Sequence, residues 1–246
     1  MQRYKLVLTL LVSLTILWAC NEETSNPTES IQQNSEANYG EQLEKTNGYA
    51  QFKITLENLT PATGPGASQP FSPPVIATHA PLFHIFQPHK YASDELRQLA
   101  EDAVNPPMLS SLSNSQFVLD VVEGSEGPVF PASSQSYMIK TRFPFKKLSL
   151  VAMLVNTNDA FVGANGVRLP HHGSRVYYLK TYDAGTEKNT ELHSNIPGPC
   201  CGSPLVRIPT HNRISLHKGI KGNGDLDPAI FGWNNPTAKL TITRVY

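Results

Sequence analysis

The chain has 246 residues, with 20 Lys+Arg against 20 Asp+Glu, eight His, 20 Pro and 16 Gly. That length is ample for one buried core in a domain of about 200 residues, and the balanced charge excludes the basic excess of a nucleic-acid binder. Charged residues are only 16% of the chain, and the wealth of Pro, Gly, Thr and Asn points to a loop-rich β protein rather than a helical bundle.

Residues 1–19 read as a signal peptide. Arg3 and Lys5 supply the positive start, and Leu6 to Trp18 is an apolar run too short for a comfortable membrane span. The run ends in Leu17-Trp18-Ala19-Cys20, which resembles a bacterial lipobox, although Trp18 is larger than usual there. Lipidation of Cys20 is therefore expected, with the bilayer as a partner. The expected localisation is the cell envelope, lipid-anchored to a bacterial membrane and facing periplasm or surface. Residues 20–49 then form the lipidated Cys and a tether. It holds six Glu and one Lys and almost no large apolar residue, so it cannot bury enough surface to offset its ordering entropy. Residues 50–246 keep 17 Lys+Arg and 14 Asp+Glu, too weak a basic balance to imply a polyanion partner.

The rest reads as one β-rich domain. Phe52, Ile54 and Leu56 alternate as in a half-buried strand. Ser136 to Thr141 alternates too. Leu148 to Val155 is continuously apolar, as expected of a strand covered on both faces. Arg175 to Tyr182 and Ala238 to Tyr246 complete the clear strands. Ser93 can cap a helix opened by Asp94 and Glu95, with an apolar stripe of Leu96, Leu99, Ala100 and Ala103, stopped by Asn105-Pro106-Pro107. A second short helix is expected over Met108 to Leu112. The predicted fold is all-β: an antiparallel β-sandwich with one or two short helices inserted in loops.

Several stretches resemble the spondin N-terminal domain family of F-spondin and mindin. They are Pro70–His79, the Ser93–Glu101 helix, Leu148 to Gly163 with its Asn-Thr-Asn-Asp-x-Phe-Val-Gly run, and Val176 to Glu187 with its Tyr-Asp-Ala-Gly-Thr-Glu run. Gly224-Asp-Leu-Asp-Pro228 and Trp233-Asn-Asn-Pro236 extend the likeness over nearly all of residues 50–246. The resemblance implies a sandwich related to C2 domains, a bound calcium ion, and adhesion or ligand binding rather than catalysis. The ligand it implies is a protein or glycan of unknown identity.

Calcium takes six to eight oxygens, several of them carboxylate. Asp159 and Asp183 each follow a strong strand, and Gly185 allows a sharp turn between Asp183 and Glu187. A plain hairpin between the two strands would set Asp159 and Asp183 at opposite ends, whereas a crossing connection could unite them; the residues leave this open, and the family likeness supplies the pairing. The expected side-chain ligands are Asp159, Asp183 and Glu187, with Asn156 and Asn158 as second choices. Related domains often carry Asp where Glu187 stands. Asp225 and Asp227 form another acidic pair, expected as a structured turn, with a second ion site as the alternative.

Other chemistry finds little support. The eight His lack zinc-site spacing. Ser174 near His172 lacks a nucleophile elbow. Adjacent Cys200 and Cys201 have Cα atoms only about 3.8 Å apart, below the usual disulfide range, so free or intermolecular thiols are expected, with a distorted vicinal bond as the alternative. The leading expectation is a membrane-anchored, calcium-binding, non-enzymatic lipoprotein. A metal-assisted hydrolase on the same scaffold and a purely structural envelope protein are the competing classes.

Overall fold

The computed structural model describes residues 48–63, 68–202 and 206–246. The signal peptide, Cys20 and all of the tether but Gly48 and Tyr49 lie outside the described residues. The described residues belong to one compact unit.

The described residues form nine strands: β1 (Ala50–Asn58), β2 (Val75–His79), β3 (Val118–Glu123), β4 (Ser134–Thr141), β5 (Lys147–Met153), β6 (Ala160–Arg168), β7 (Ser174–Asp183), β8 (Ser215–Leu216) and β9 (Ala238–Arg244). All pairings are antiparallel, in the order β3-β2-β5-β6-β7-β9-β1-β4, with β8 on the end of β7. β7 belongs to both sheets: Ser174 to Leu179 pair with β9, and Lys180 to Asp183 pair with β6. At the other side the two edges meet through side chains. Asp120 Oδ2 accepts from the Lys140 backbone N–H at 2.8 Å, and Thr78 Oγ1 donates to the Lys140 carbonyl at 2.7 Å. The sandwich is thus nearly closed into a barrel.

Burial follows from these layers. Phe52, Ile54 and Leu56 of β1 join Ile76, Leu150, Leu240 and Ile242 in the core between the sheets. The helices α1 (Asp94–Asp102) and α2 (Pro106–Ser113) cover the outer face of the second sheet. Leu96, Leu99, Ala100, Met108 and Leu112 pack there against Val75, Ala77, Val151 and Phe161. This two-sided cover explains why every residue of β2 is buried and all of β5 beyond Lys147. Ser93 caps α1 as expected, its hydroxyl accepting from the Leu96 N–H at 3.3 Å.

Sequence patterning misses β2, β3, β6 and the two-residue β8. β6 reads as loop because it contains Gly163, Asn165 and Gly166. The glycines answer tertiary demands instead. A Cβ at Gly163 would stand 2.7 Å from the Phe86 ring, and Gly166 has φ of 62° beside the register shift where β6 pairs with β5.

His79, fully buried at the end of β2, bonds the Ala80 carbonyl through Nδ1 at 2.8 Å and the Ser149 hydroxyl through Nε2 at 2.8 Å. Burial holds its pKa below the ordinary 6.5, helped by His84 and Lys147 and opposed by the bond to Ala80. The unfolded chain therefore takes a proton more readily, so this site's stability is complete above about pH 6.5 and is lost as the pH falls toward the folded-state pKa. Urea unfolding of wild type and His79→Gln should show the wild type's advantage shrinking from about pH 8 to about pH 5; a pH-independent difference would refute this.

Candidate metal centre

Three strand ends share one rim: the end of β5, the start of β6 and the end of β7. The turn from Leu154 to Asp159 is tied by Thr157, whose hydroxyl donates to the Leu154 carbonyl at 2.6 Å and accepts from the Ala160 N–H at 3.1 Å. The chain therefore reverses directly into β6, and β6 returns as β7 from the far end. Asp183 pairs with Ala160, and the Asp159 carbonyl accepts from the Ala184 N–H at 3.1 Å. The extra strand β6 settles the geometric question left by the sequence. The single reversal between β6 and β7 brings Asp159, just before β6, and Asp183, at the end of β7, to the same end within one sheet.

The two carboxylates differ in their surroundings. Asp159 is fully buried. Its Oδ2 accepts from the Thr186 N–H at 2.8 Å, the Thr186 hydroxyl at 3.2 Å and the Glu187 N–H at 3.0 Å. Its Oδ1 has no hydrogen-bond partner among the described residues. Burial first, and then the charge of Asp183, push its pKa up to about 7. Asp183 Oδ1 accepts from the Gly185 N–H at 2.7 Å, and Oδ2 from the Asn189 amide at 2.6 Å. Gly185 turns with φ of 76°, and a Cβ there would fall 2.6 Å from the Asn212 carbonyl oxygen. Behind Asn189, the buried His217 accepts the Gly219 N–H on Nδ1 at 3.0 Å, which leaves Nε2 to donate to Asn189 Oδ1 at 3.2 Å.

Glu187 stands on the same rim but points toward α1. Its Oε1 lies 3.1 Å from Arg207 Nε and makes no hydrogen bond of good geometry. Arg207 also meets Glu101 at 3.0 Å and the Asp102 carboxylate, and Arg97 meets Glu101 at 2.9 Å. Burial, followed by the charges of Glu101 and Asp159, pushes the Glu187 pKa up to about 8. Among the described residues no three His, Cys, Asp or Glu side chains gather into a metal-binding group. The structure joins Asp159 to Asp183 and leaves Glu187 beside Arg207. The chemistry of the pair still fits a hard cation: an anionic oxygen buried without donor or countercharge is costly unless a positive charge meets it. The Arg207 cluster escapes a reading of the sequence, since Arg207 sits in a loop far from α1 along the chain.

The second-choice asparagines have other work. Asn156 donates to the Ser68 carbonyl at 3.0 Å and accepts from the Cys200 N–H at 3.3 Å. Asn158 accepts from the Thr190 N–H at 3.1 Å and donates to the Asn195 carbonyl at 3.4 Å. Both pin the long segment after β7 to the rim. Asp225 accepts from the His193 N–H at 2.9 Å, and Asp227 caps α3 (Pro228–Phe231) through the Ala229 N–H at 2.8 Å, so this pair is spent on turn structure. Ser174 pairs with the Thr243 hydroxyl at 2.8 Å.

The family model described as Spondin_N matches residues 50–211. The chain belongs to the spondin N-terminal domain family. No curated protein matches it. The spondin match stops short of β8, α3 and β9, yet β9 lies between β1 and β7 and completes the first sheet. The family supports an extracellular domain, and no helix among the described residues is long and apolar enough to cross a membrane.

One expectation is corrected. Cys200 and Cys201 are bonded to each other, with Cα atoms 3.8 Å apart, rather than held as free or intermolecular thiols. The loop accommodates the bond because the Cys201 N–H closes a turn onto the Gly198 carbonyl at 3.0 Å, and Gly198 packs against the Val155 carbonyl where a Cβ would come within 2.0 Å. Unfolded, unreduced protein bearing Cys20→Ser should therefore show no reactive thiol, and two after reduction; a thiol signal before reduction would contradict the bond.

Proposed function

We propose that this spondin domain binds calcium at the rim carrying Asp159 and Asp183 and serves as an exported, lipid-anchored binding module of the cell envelope rather than as an enzyme. The observation that carries the reading is the buried, unpartnered Oδ1 of Asp159 beside a second carboxylate. A calcium ion would meet that oxygen and the Asp183 carboxylate, with Glu187 as the third side-chain candidate. When bound, it would supply positive charge and oxygen-preferring coordination. Asp159 already ties the rim to Thr186 and Glu187, so neutralising it would stiffen the loop after β7. That loop is the surface offered to a protein or glycan ligand, in keeping with an adhesive role. The signal-like start and the lipobox-like Leu17 to Cys20 support export and anchoring to the bilayer.

Two experiments test the reading. In urea unfolding, calcium at about a hundredfold above its Kd should stabilise the wild type by about 2.7 kcal/mol. Asp159→Asn should be more stable than wild type without calcium, having lost a buried charge while keeping an acceptor, and should gain nothing from the ion. Absence of calcium binding by titration calorimetry at millimolar concentration would remove the metal reading. For the anchor, Cys20→Ala should move the protein from the membrane to the soluble fraction; unchanged fractionation would remove the lipid reading.

A further inference from the structure

The opposite end of the sandwich holds a cavity of about 440 Å³, within the range of small-molecule sites. It opens where β1 and β5 begin and where β4, β6 and β9 end. Its wall is apolar and largely aromatic, with Phe52, Phe143, Phe145, Leu169 and Pro170. Its mouth is basic, with Arg142, Lys146, Lys147, Arg168, His171 and Arg244, and no acidic residue among the described residues lines it. In a domain with only a small basic excess, that many cations around one opening is a concentrated positive field over a low-dielectric wall.

Lys147 donates to the Gly166 carbonyl at 3.0 Å and Arg244 to the His171 carbonyl at 3.2 Å, but four of the cations meet no carboxylate among the described residues. The ion pairs among the described residues belong to Arg97, Arg207 and Lys239, so Arg142, Lys146, Lys147 and Arg168 face no carboxylate. Two of them lie over aromatic faces: Lys146 Nζ is 4.6 Å from the Phe143 ring centre, and the Arg142 guanidinium is 5.0 Å from that of Tyr49. Phe143 itself is 77% exposed, a large apolar ring at the mouth with Lys146 over one face.

We propose that this cavity binds an anionic amphiphile, a single apolar chain carrying a carboxylate or phosphate head, with the tail on the aromatic wall and the head among Arg142, Lys146 and Arg168. A small inorganic anion would leave the wall uncovered, and a neutral apolar molecule would leave the cations unused. A polyanion would need a broad basic face rather than a concave opening.

The test is titration calorimetry of residues 21–246, which keep the whole compact unit and the acidic tether, with dodecanoate and dodecyl phosphate below their micellar concentrations. Both should bind at one saturable site and weaken as salt rises. Lys146→Gln with Arg168→Gln, two exposed positions, should reduce affinity about tenfold or more, and Phe143→Ser should reduce it separately. Dodecyltrimethylammonium should not bind. Three results would overturn the proposal: no saturable binding of either anion, equal binding of the cationic amphiphile, or affinity unchanged in both variants. Binding to phosphatidylglycerol vesicles with no binding of the monomeric amphiphiles would also overturn it, and would assign this end to a membrane surface instead.

Discussion

The hydrogen bonding of β7 to two different sheets is the constraint from which the rest of the architecture follows. Its first six residues pair with β9 and its last four with β6, so one continuous backbone carries the sandwich from one layer to the other. Closure at the opposite side through Asp120, Thr78 and Lys140 completes the wall. With both layers tied, the core of Phe52, Ile54, Leu150 and Leu240 is sealed, and the two candidate sites lie at the rims and the loops that cross them.

Those rims have opposite character. One rim collects Asp159, Asp183 and Glu187, with Glu101 and Asp102 close by on α1. The other collects Arg142, Lys146, Lys147, Arg168 and Arg244 around an apolar hollow. The acidic rim is tightly buried, and its charges are met by backbone N–H groups and by Arg207. The basic rim is open. A buried carboxylate without a full complement of donors is a feature that a native fold tolerates only where something else compensates it, which is why the proposed cation belongs at Asp159 and not at the solvent-exposed Asp225 or Asp227.

Much of the fold was legible along the chain. β1, β4, β5, β7 and β9 announce themselves through alternation or continuous apolar runs, and α1 through its Ser93 cap and Leu96–Leu99 stripe. β6 was hidden because Gly163, Asn165 and Gly166 lower its strand character for reasons of packing against Phe86 and of local register. That one missing strand also made the position of Asp159 relative to Asp183 ambiguous. Hairpin counting from Asp159 to Asp183 gives the wrong end of the sheet unless the intervening strand is included.

Local chemistry, then, is what the linear order of residues determines: an apolar start resembling a signal and lipobox, a polar acidic tether, alternating strands, a capped helix, and two Asp residues at strand ends within spondin-like runs. Tertiary structure alone decided that those two carboxylates share one rim, that Glu187 turns toward Arg207, and that cations from five separate strand ends and loops ring one cavity. The physical reason is distance along the chain. Capping and periodicity act over a few residues and can be read in place, whereas charge pairing and cavity shape depend on long-range register, which is set only once the sheets have closed.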